Sequence, residues 1–126
     1  MSTLVRAMDR VVITVPAGRP FRGVLRLVVG GIGSRCGLSF DHVDELQLAV
    51  DSLLDHRNPA YATIELEAAI GDEELVLVVG PFIGDADVAG RRVTSALVDR
   101  ALTIERDGFE WIELSVTMPR HARAGA

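Results

Sequence analysis

The chain has 126 residues, and its 18 acidic and 13 basic side chains give a formal net charge of −5 at pH 7. We expect a single domain over residues 1–119, followed by a flexible tail over residues 120–126. The acidic balance argues against nucleic acid as a partner, because phosphate binding depends on clustered lysine and arginine.

The single cysteine, Cys36, excludes an internal disulfide framework and a multi-cysteine zinc site. No apolar run approaches the roughly 20 residues that a membrane helix needs. The N-terminus also lacks the basic-then-apolar pattern of a signal peptide. We therefore expect a cytoplasmic protein that does not bind a membrane.

The N-terminal part predicts one strand and one helix. The β-branched run over residues 11–15 is typical of a strand and is closed by Pro16. A helix is expected from Pro20, where a missing backbone N–H costs nothing, until the glycines that precede Gly37. The apolar side chains at helical spacing predict its buried stripe as Phe21, Val24, Leu25, Val28 and Ile32.

A second helix follows, with Ser39 or Asp41 as its N-cap and Asn58-Pro59 after its end. Its predicted buried positions repeat at three- and four-residue spacing, at Val43, Leu46, Val50 and Leu53. Its solvated flank is acidic and carries Asp44, Asp51 and Asp55. A third face carries Glu45, Ala49, Ser52 and His56.

The C-terminal half predicts four strands and a third helix. In chain order these are a strand over 62–70, a strand over 75–79, a helix over 87–101, a strand over 102–105 and a strand over 109–118. Residues 80–84 are expected to form a loop. The resulting order predicts an α+β two-layer sandwich, with three helices on one face of a mixed, mostly antiparallel sheet.

Two local motifs have ordinary structural explanations. Gly31 and Gly33 resemble the start of a dinucleotide-binding loop, but Cys36 stands where the third glycine is needed. Ser52 and His56 share one helical face, yet nothing in the sequence supplies a third group to orient them as nucleophile and base. The scattered histidines form no paired ligand motif, so no metal site is expected.

Several phrases, spread nearly end to end, are similar to the anti-sigma-factor serine kinases of the histidine-kinase-like ATPase superfamily. They include the Pro-led helix around residues 24–28, the turn over 36–39, the acid-rich helix over 43–50, and Gly90 with residues 97–99. The resemblance implies the histidine-kinase-like ATPase fold for the two-layer sandwich predicted above.

The resemblance also shows where the chemistry of that family is replaced. A glutamate general base and an Mg²⁺-binding asparagine occupy, in that family, the places of Ser52 and His56 here. Serine is not a base at neutral pH, and imidazole is a poor ligand for hard Mg²⁺. No carboxylate stands at the adenine-recognition place near Gly80, and the five residues between Gly84 and Gly90 are too few for an ATP lid.

We therefore expect a vestigial nucleotide cleft that does not hold ATP, with no catalytic residue, no metal and no cofactor. The residues that the resemblance places in this cleft are Ser52, His56, Gly80, Gly84 and Gly90. A fold retained without its chemistry indicates that the surfaces of the molecule perform its function.

The sequence thus predicts a non-catalytic regulatory protein that acts through protein–protein contacts in bacterial transcription or stress-response control. The resemblance implies a sigma factor or an anti-sigma antagonist as partner, and a homodimer or a heterodimer with an active kinase. Two alternatives stay open: a divergent ATP-dependent serine/threonine kinase with Glu45 or Asp55 as base, and a lidless small-molecule sensor. A third alternative is a structural domain unrelated to sigma control.

Overall fold

The structure is a computed structural model that describes residues 9–84, 94 and 96–119. In chain order the strands and helices are β1 (Asp9–Pro16), α1 (Arg22–Arg35), α2 (Phe40–His56), β2 (Asn58–Pro59), β3 (Thr63–Ile70), β4 (Glu74–Ile83), β5 (Arg100–Arg106) and β6 (Phe109–Thr117). A single 3-10 turn, Arg19–Phe21, precedes α1.

The sheet has the strand order β1-β3-β4-β6-β5, and β2 pairs with the end of β4. Every described strand pair is antiparallel. The two hairpins, β3–β4 and β5–β6, follow from alternating apolar residues on either side of short turns. In the second turn, Asp107 and Gly108 both have positive φ, at 53° and 82°, as a tight hairpin turn requires. The predicted α+β class with a mostly antiparallel sheet is confirmed.

Helices α1 and α2 pack on one face of this sheet and enclose the core. Strand side chains alternate between the two faces, so the central strands β3, β4 and β6 give alternate residues to this core. Fully buried examples are Leu66, Leu77 and Leu114, which belong to the same core cluster as Val29 and Val50 of the helices.

The buried stripe of α1 agrees with the predicted one in part. Leu25 is buried, and Val28 and Ile32 pack partly buried against the core, as predicted. Val29 and Gly33 are buried as well, whereas Phe21 and Val24 are 42% and 39% exposed. Phe21 lies in the 3-10 turn before the helix, so it is out of phase with the later turns. A Cβ on Gly33 would lie 3.3 Å from Val43, which shows how closely α1 approaches α2 at this glycine.

Two predicted boundaries are wrong. Residues 80–83, expected in a loop, continue β4, because Phe82 pairs with both Pro59 and Glu110 and is completely buried. The third helix does not reach Ala101, since β5 begins at Arg100. Thr94, Ala96 and Leu97 are helical. Residues 87–93 and 95 of that predicted helix lie outside the described residues, as do the expected tail and the segment 85–89 that was expected to be too short for a lid.

The sheet face away from the helices carries a network of charged and aromatic side chains. Glu67 accepts hydrogen bonds from Arg10 at 3.1 Å and from Arg106 at 2.9 Å. The Arg106 guanidinium lies 4.8 Å from the Trp111 ring centroid. Four strands, β1, β3, β5 and β6, are thereby linked across this face.

No helix within the described part of the chain is long and apolar enough to cross a membrane.

Candidate functional site

The C-terminal half of α2 positions two of the expected cleft residues side by side. The helix begins at Ser39, whose hydroxyl accepts a hydrogen bond from the His42 amide at 3.1 Å. Ser52 and His56 are four residues apart, so they occupy one helical face near the end of the helix. The structure thus brings Ser52 and His56 together, as the sequence predicts for an α-helix.

Their environment is not that of a base and a nucleophile. Ser52 is 8% exposed, and its buried hydroxyl oxygen has no hydrogen-bond partner among the described residues. His56 Nδ1 lies 2.8 Å from the Ser52 backbone carbonyl oxygen, so the imidazole is tied to the helix backbone. The contact of His56 does not activate the Ser52 hydroxyl, because activation requires a base that accepts the hydroxyl proton.

The acids next to this pair point toward α1. Asp51 forms an ion pair with Arg26, and Asp55 forms one with Arg22. Burial raises the pKa of Asp51 above its usual value, and the nearby Arg26 opposes this only in part. The sequence predicts a purely solvated acidic flank here, but Asp51 and Asp55 instead join the two helices by charge. Glu45, the other acid considered as a substitute base, is exposed.

Gly80 lies on the opposite side of the sheet from Ser52. Its neighbour Val79 is in the core, so the missing side chain of Gly80 faces away from the helices. A Cβ at this position would lie 2.6 Å from the Trp111 ring. Gly80 therefore provides room for Trp111 on the far face.

Gly84 ends β4 with a φ of +72°, a conformation that favours glycine. Its carbonyl oxygen accepts a hydrogen bond from Arg57 Nη2 at 2.8 Å. Gly90, the last of the expected cleft residues, lies outside the described residues. Of the five, the structure therefore groups Ser52 with His56 and places Gly84 at the end of β4.

Arg57, the residue directly after His56, was not predicted from the sequence. Its side chain is 2% exposed and forms an ion pair with Glu110 in addition to the Gly84 contact. The guanidinium lies 5.3 Å from the Phe82 ring centroid, and its Nε has no partner within the described residues. An arginine next to an Asn-Pro helix terminator looks like a solvated residue, so only the tertiary contacts reveal it.

Within residues 9–84, 94 and 96–119, no group of three or more histidine, cysteine, aspartate or glutamate side chains could hold a metal ion. The chemistry available around Ser52 and His56 is hydrogen bonding through a hydroxyl and an imidazole. The next residue in the sequence, Arg57, adds a buried cation.

Comparison with known proteins finds relatives by sequence and by fold. No family model matches the chain. The serine-protein kinase RsbW of Halalkalibacterium halodurans is 29% identical over 75 residues, which are 56% of this chain and 46% of that protein. The serine-protein kinase RsbW of Bacillus licheniformis is 30% identical over 80 residues, 59% of this chain and 50% of that protein. The chain therefore spans about half the length of these curated relatives.

The fold comparison covers more of the chain. A crystal structure of the RsbU and RsbW domains of a Mycobacterium tuberculosis protein matches with a TM-score of 0.69 at 17% identity, over 89% of this chain and 34% of that one. At this identity the match concerns the fold alone. The resemblance predicted from the sequence is confirmed: over part of its length this chain is similar in sequence to the RsbW serine-protein kinases, and its fold matches a structure that contains an RsbW domain.

Proposed function

We propose that this chain is a regulatory binding protein with the fold of an anti-sigma-factor kinase, and that it does not transfer phosphate. The observation that carries the proposal is the state of Ser52. At the place that the resemblance assigns to the general base stands a small buried hydroxyl with no hydrogen-bond partner in the part of the chain that the structure describes. Such a group can neither accept a proton at neutral pH nor reach a substrate hydroxyl.

The neighbouring positions support the same conclusion. His56 replaces the Mg²⁺-binding asparagine, and its Nδ1 faces the Ser52 carbonyl. Mg²⁺ prefers oxygen ligands in octahedral geometry, which an imidazole held by its own helix does not supply. The adenine-recognition place falls on residues 80–83, where β4 continues and Phe82 is buried instead of a carboxylate being presented.

The rival kinase requires a substitute base. Asp55 forms an ion pair with Arg22, so its carboxylate is held against α1. Glu45 is two turns before Ser52 on α2 and exposed, in contrast to the buried Ser52. No observation on these residues favours the kinase, and none favours the small-molecule sensor.

The partner, by resemblance, is a sigma factor or an anti-sigma antagonist, in a cytoplasmic pathway of bacterial transcription or stress-response control. We extend the proposal to a single domain over residues 1–119 and to assembly as a homodimer or with an active kinase. The net charge of −5 favours a partner with a basic surface, although the field of such a charge is weak.

Pairwise binding measured by biolayer interferometry tests this function. The sigma factors and antagonist proteins of the same genome are purified and presented to the immobilised chain, with and without ATP and Mg²⁺. We expect at least one of them to bind, with an affinity that ATP does not change. Transfer of labelled γ-phosphate to an antagonist, or binding to none of these proteins, would contradict the proposal.

A further inference from the structure

An open groove of about 650 Å³ runs between α1 and α2, and neither Ser52 nor His56 lines it. Two of its lining side chains are large, apolar and exposed: Leu27 is 76% exposed and Phe40 is 88% exposed. They come from different helices, so the two helices present one continuous apolar surface. Exposed apolar surface of this kind is typical of binding sites.

The α1 side of the groove is built from small residues. Gly31 and Ser34 line it, and a Cβ on Gly31 would meet no atom within 4 Å. Gln47 of α2 covers Gly30 and donates a hydrogen bond to the Arg26 carbonyl oxygen at 2.9 Å. The groove is therefore open at Gly31, and the amide of Gln47 already has a hydrogen-bond partner. We expect a large apolar side chain of the occupant to fit between Leu27 and Phe40.

The α2 side of the groove is flanked by acids. Asp44 lies one turn after Phe40 on the same helical face and is 58% exposed, with Arg26 at 3.9 Å. Asp41 and Glu45 are exposed as well, and neither makes an ion pair within the described residues. No charged residue lines the groove itself. The complementary occupant is therefore apolar on one face and basic on its flank.

The walls of the groove are the helices α1 and α2, and this favours a helical backbone conformation for the occupant. Helices satisfy their own N–H and C=O groups, so the groove offers no strand edge to an extended peptide. A bound helix satisfies its backbone internally and presents side chains at i, i+3, i+4 and i+7 to the groove.

We propose that this groove binds an amphipathic helix of a partner protein, with an apolar stripe in the groove and lysine or arginine toward Asp41 and Asp44. The inference deepens the proposed function and rests on it, because it names the kind of segment through which a partner is bound. It locates that contact on α1 and α2, outside the cleft around Ser52.

Two labelled synthetic peptides of about 18 residues, or five helical turns, test the chemistry of the occupant. They share one leucine stripe and differ in carrying lysine or glutamate on the flank, and fluorescence anisotropy measures their binding. We expect the lysine peptide to bind at least about tenfold more tightly at low salt, with the difference reduced by salt. Equal affinities, or no binding by either peptide, would overturn the proposal.

Substitutions locate the peptide. Gly31→Arg fills the groove with a bulky cation in open space, and we expect at least an approximately tenfold loss of lysine-peptide affinity. Leu102→Arg adds the same charge on the opposite face of the sheet, at a side chain that is 43% exposed, and is the matched control. Phe40→Ala removes an exposed anchor and tests the site without adding charge. The proposed binding site is wrong if Gly31→Arg and Leu102→Arg weaken binding of the lysine peptide equally while both variants keep the wild-type melting temperature.

Two further measurements separate the remaining outcomes. If sedimentation shows a dimer that Gly31→Arg dissociates, the groove holds a second copy of this chain and the partner-helix proposal fails. Titration with ATP and Mg²⁺ is read independently. If neither peptide binds and ATP does not bind either, only the groove proposal is overturned. If ATP binds and the lysine peptide still binds as expected, only the proposed function is overturned.

Discussion

Arg57 shows how one side chain organises the end of this fold. It follows α2 directly, and its guanidinium joins Gly84 at the end of β4 to Glu110 at the start of β6. A charge this deeply buried is tolerated only when it is paired, and the Phe82 ring adds a cation–π contact. Arg57 thus fixes the region beside the cleft by charge.

We predict that Arg57→Ala lowers the free energy of unfolding by about 2–4 kcal/mol, because Glu110 and the Gly84 carbonyl lose their buried partner. Arg10→Ala is the control, since Arg10 also pairs with a glutamate but its side chain is 67% exposed, and we expect a loss below about 1 kcal/mol. Urea denaturation measures both variants. Equal, small losses would mean that the Arg57 contacts do not stabilise the fold.

The ion pairs of Glu67 predict that the free energy of unfolding depends on pH. Burial raises the pKa of Glu67, but the hydrogen bonds with Arg106 and with Glu65, together with the positive charges of Arg106 and Arg10, outweigh burial, so this pKa lies below its ordinary value. A depressed folded pKa gives stability that is present above the unfolded value and is lost as pH falls through the folded one.

We therefore expect Glu67→Gln to lower the free energy of unfolding at pH 7 by up to about 1 kcal/mol. Below the ordinary glutamate pKa of about 4.3 this difference should shrink, because the wild-type carboxylate becomes protonated too. Urea melts at several pH values measure it, with the exposed Glu105→Gln as control. A difference between wild type and Glu67→Gln that grows as the pH falls would contradict this assignment.

At the scale of elements, β4 is held on both of its faces. Its core side chains pack under α1 and α2, and on the other face Gly80 lies under Trp111. Arg106 of β5 covers the same indole, so a glycine in the central strand accommodates a stack that extends to the sheet edge. This explains why a glycine, which usually weakens a strand, occurs here.

Gly80→Ala should lower the free energy of unfolding by about 1–3 kcal/mol, because the new methyl group would overlap the Trp111 ring. Gly31→Ala is the matched change in open space on a helix, and we expect it to stabilise the fold by up to about 1 kcal/mol. Thermal and urea melts compare the two. If Gly80→Ala is neutral, the indole is free to move and the stack does not stabilise the sheet.

Sequence patterns predicted the elements that carry a strict period. The hairpins and the second helix were predictable because alternation in β3 and three- and four-residue spacing in α2 each have one interpretation. The buried stripe of α1 was predicted only in part: Leu25, Val28 and Ile32 face the core, but Gly33, which has no side chain to count, lies against α2. The extension of β4 through Phe82 was also missed, since pairing with β2 and β6 overrides the Gly80-Pro81 turn signal.

The site was predictable to a similar degree. The pairing of Ser52 with His56 follows from helix geometry, whereas Arg57 and the Arg22–Asp55 and Arg26–Asp51 ion pairs depend on tertiary contacts between separate elements. Charged side chains carry no periodic signal for their partners. A single sequence therefore predicts which residues share a helical face better than it predicts which charged side chains pair.

For the whole molecule, we propose that a kinase-like scaffold is retained while its nucleotide chemistry is replaced. One hydrophobic core extends across the sheet, α1 and α2. At the positions that the resemblance assigns to the base and to the Mg²⁺ ligand stand a buried serine and a histidine whose Nδ1 faces its own helix. The proposed function therefore depends on the surfaces of the molecule, and the α1–α2 groove is the one we propose for a partner helix.

Isothermal titration calorimetry of the purified chain with ATP and Mg²⁺ tests this claim most directly. The RsbW kinase of Bacillus licheniformis, titrated under the same conditions, is the positive control. We expect a binding isotherm for the control and no measurable heat of binding for this chain up to about 1 mM ATP, which corresponds to a binding free energy weaker than about −4 kcal/mol. Micromolar binding of ATP and Mg²⁺ by this chain would contradict the account.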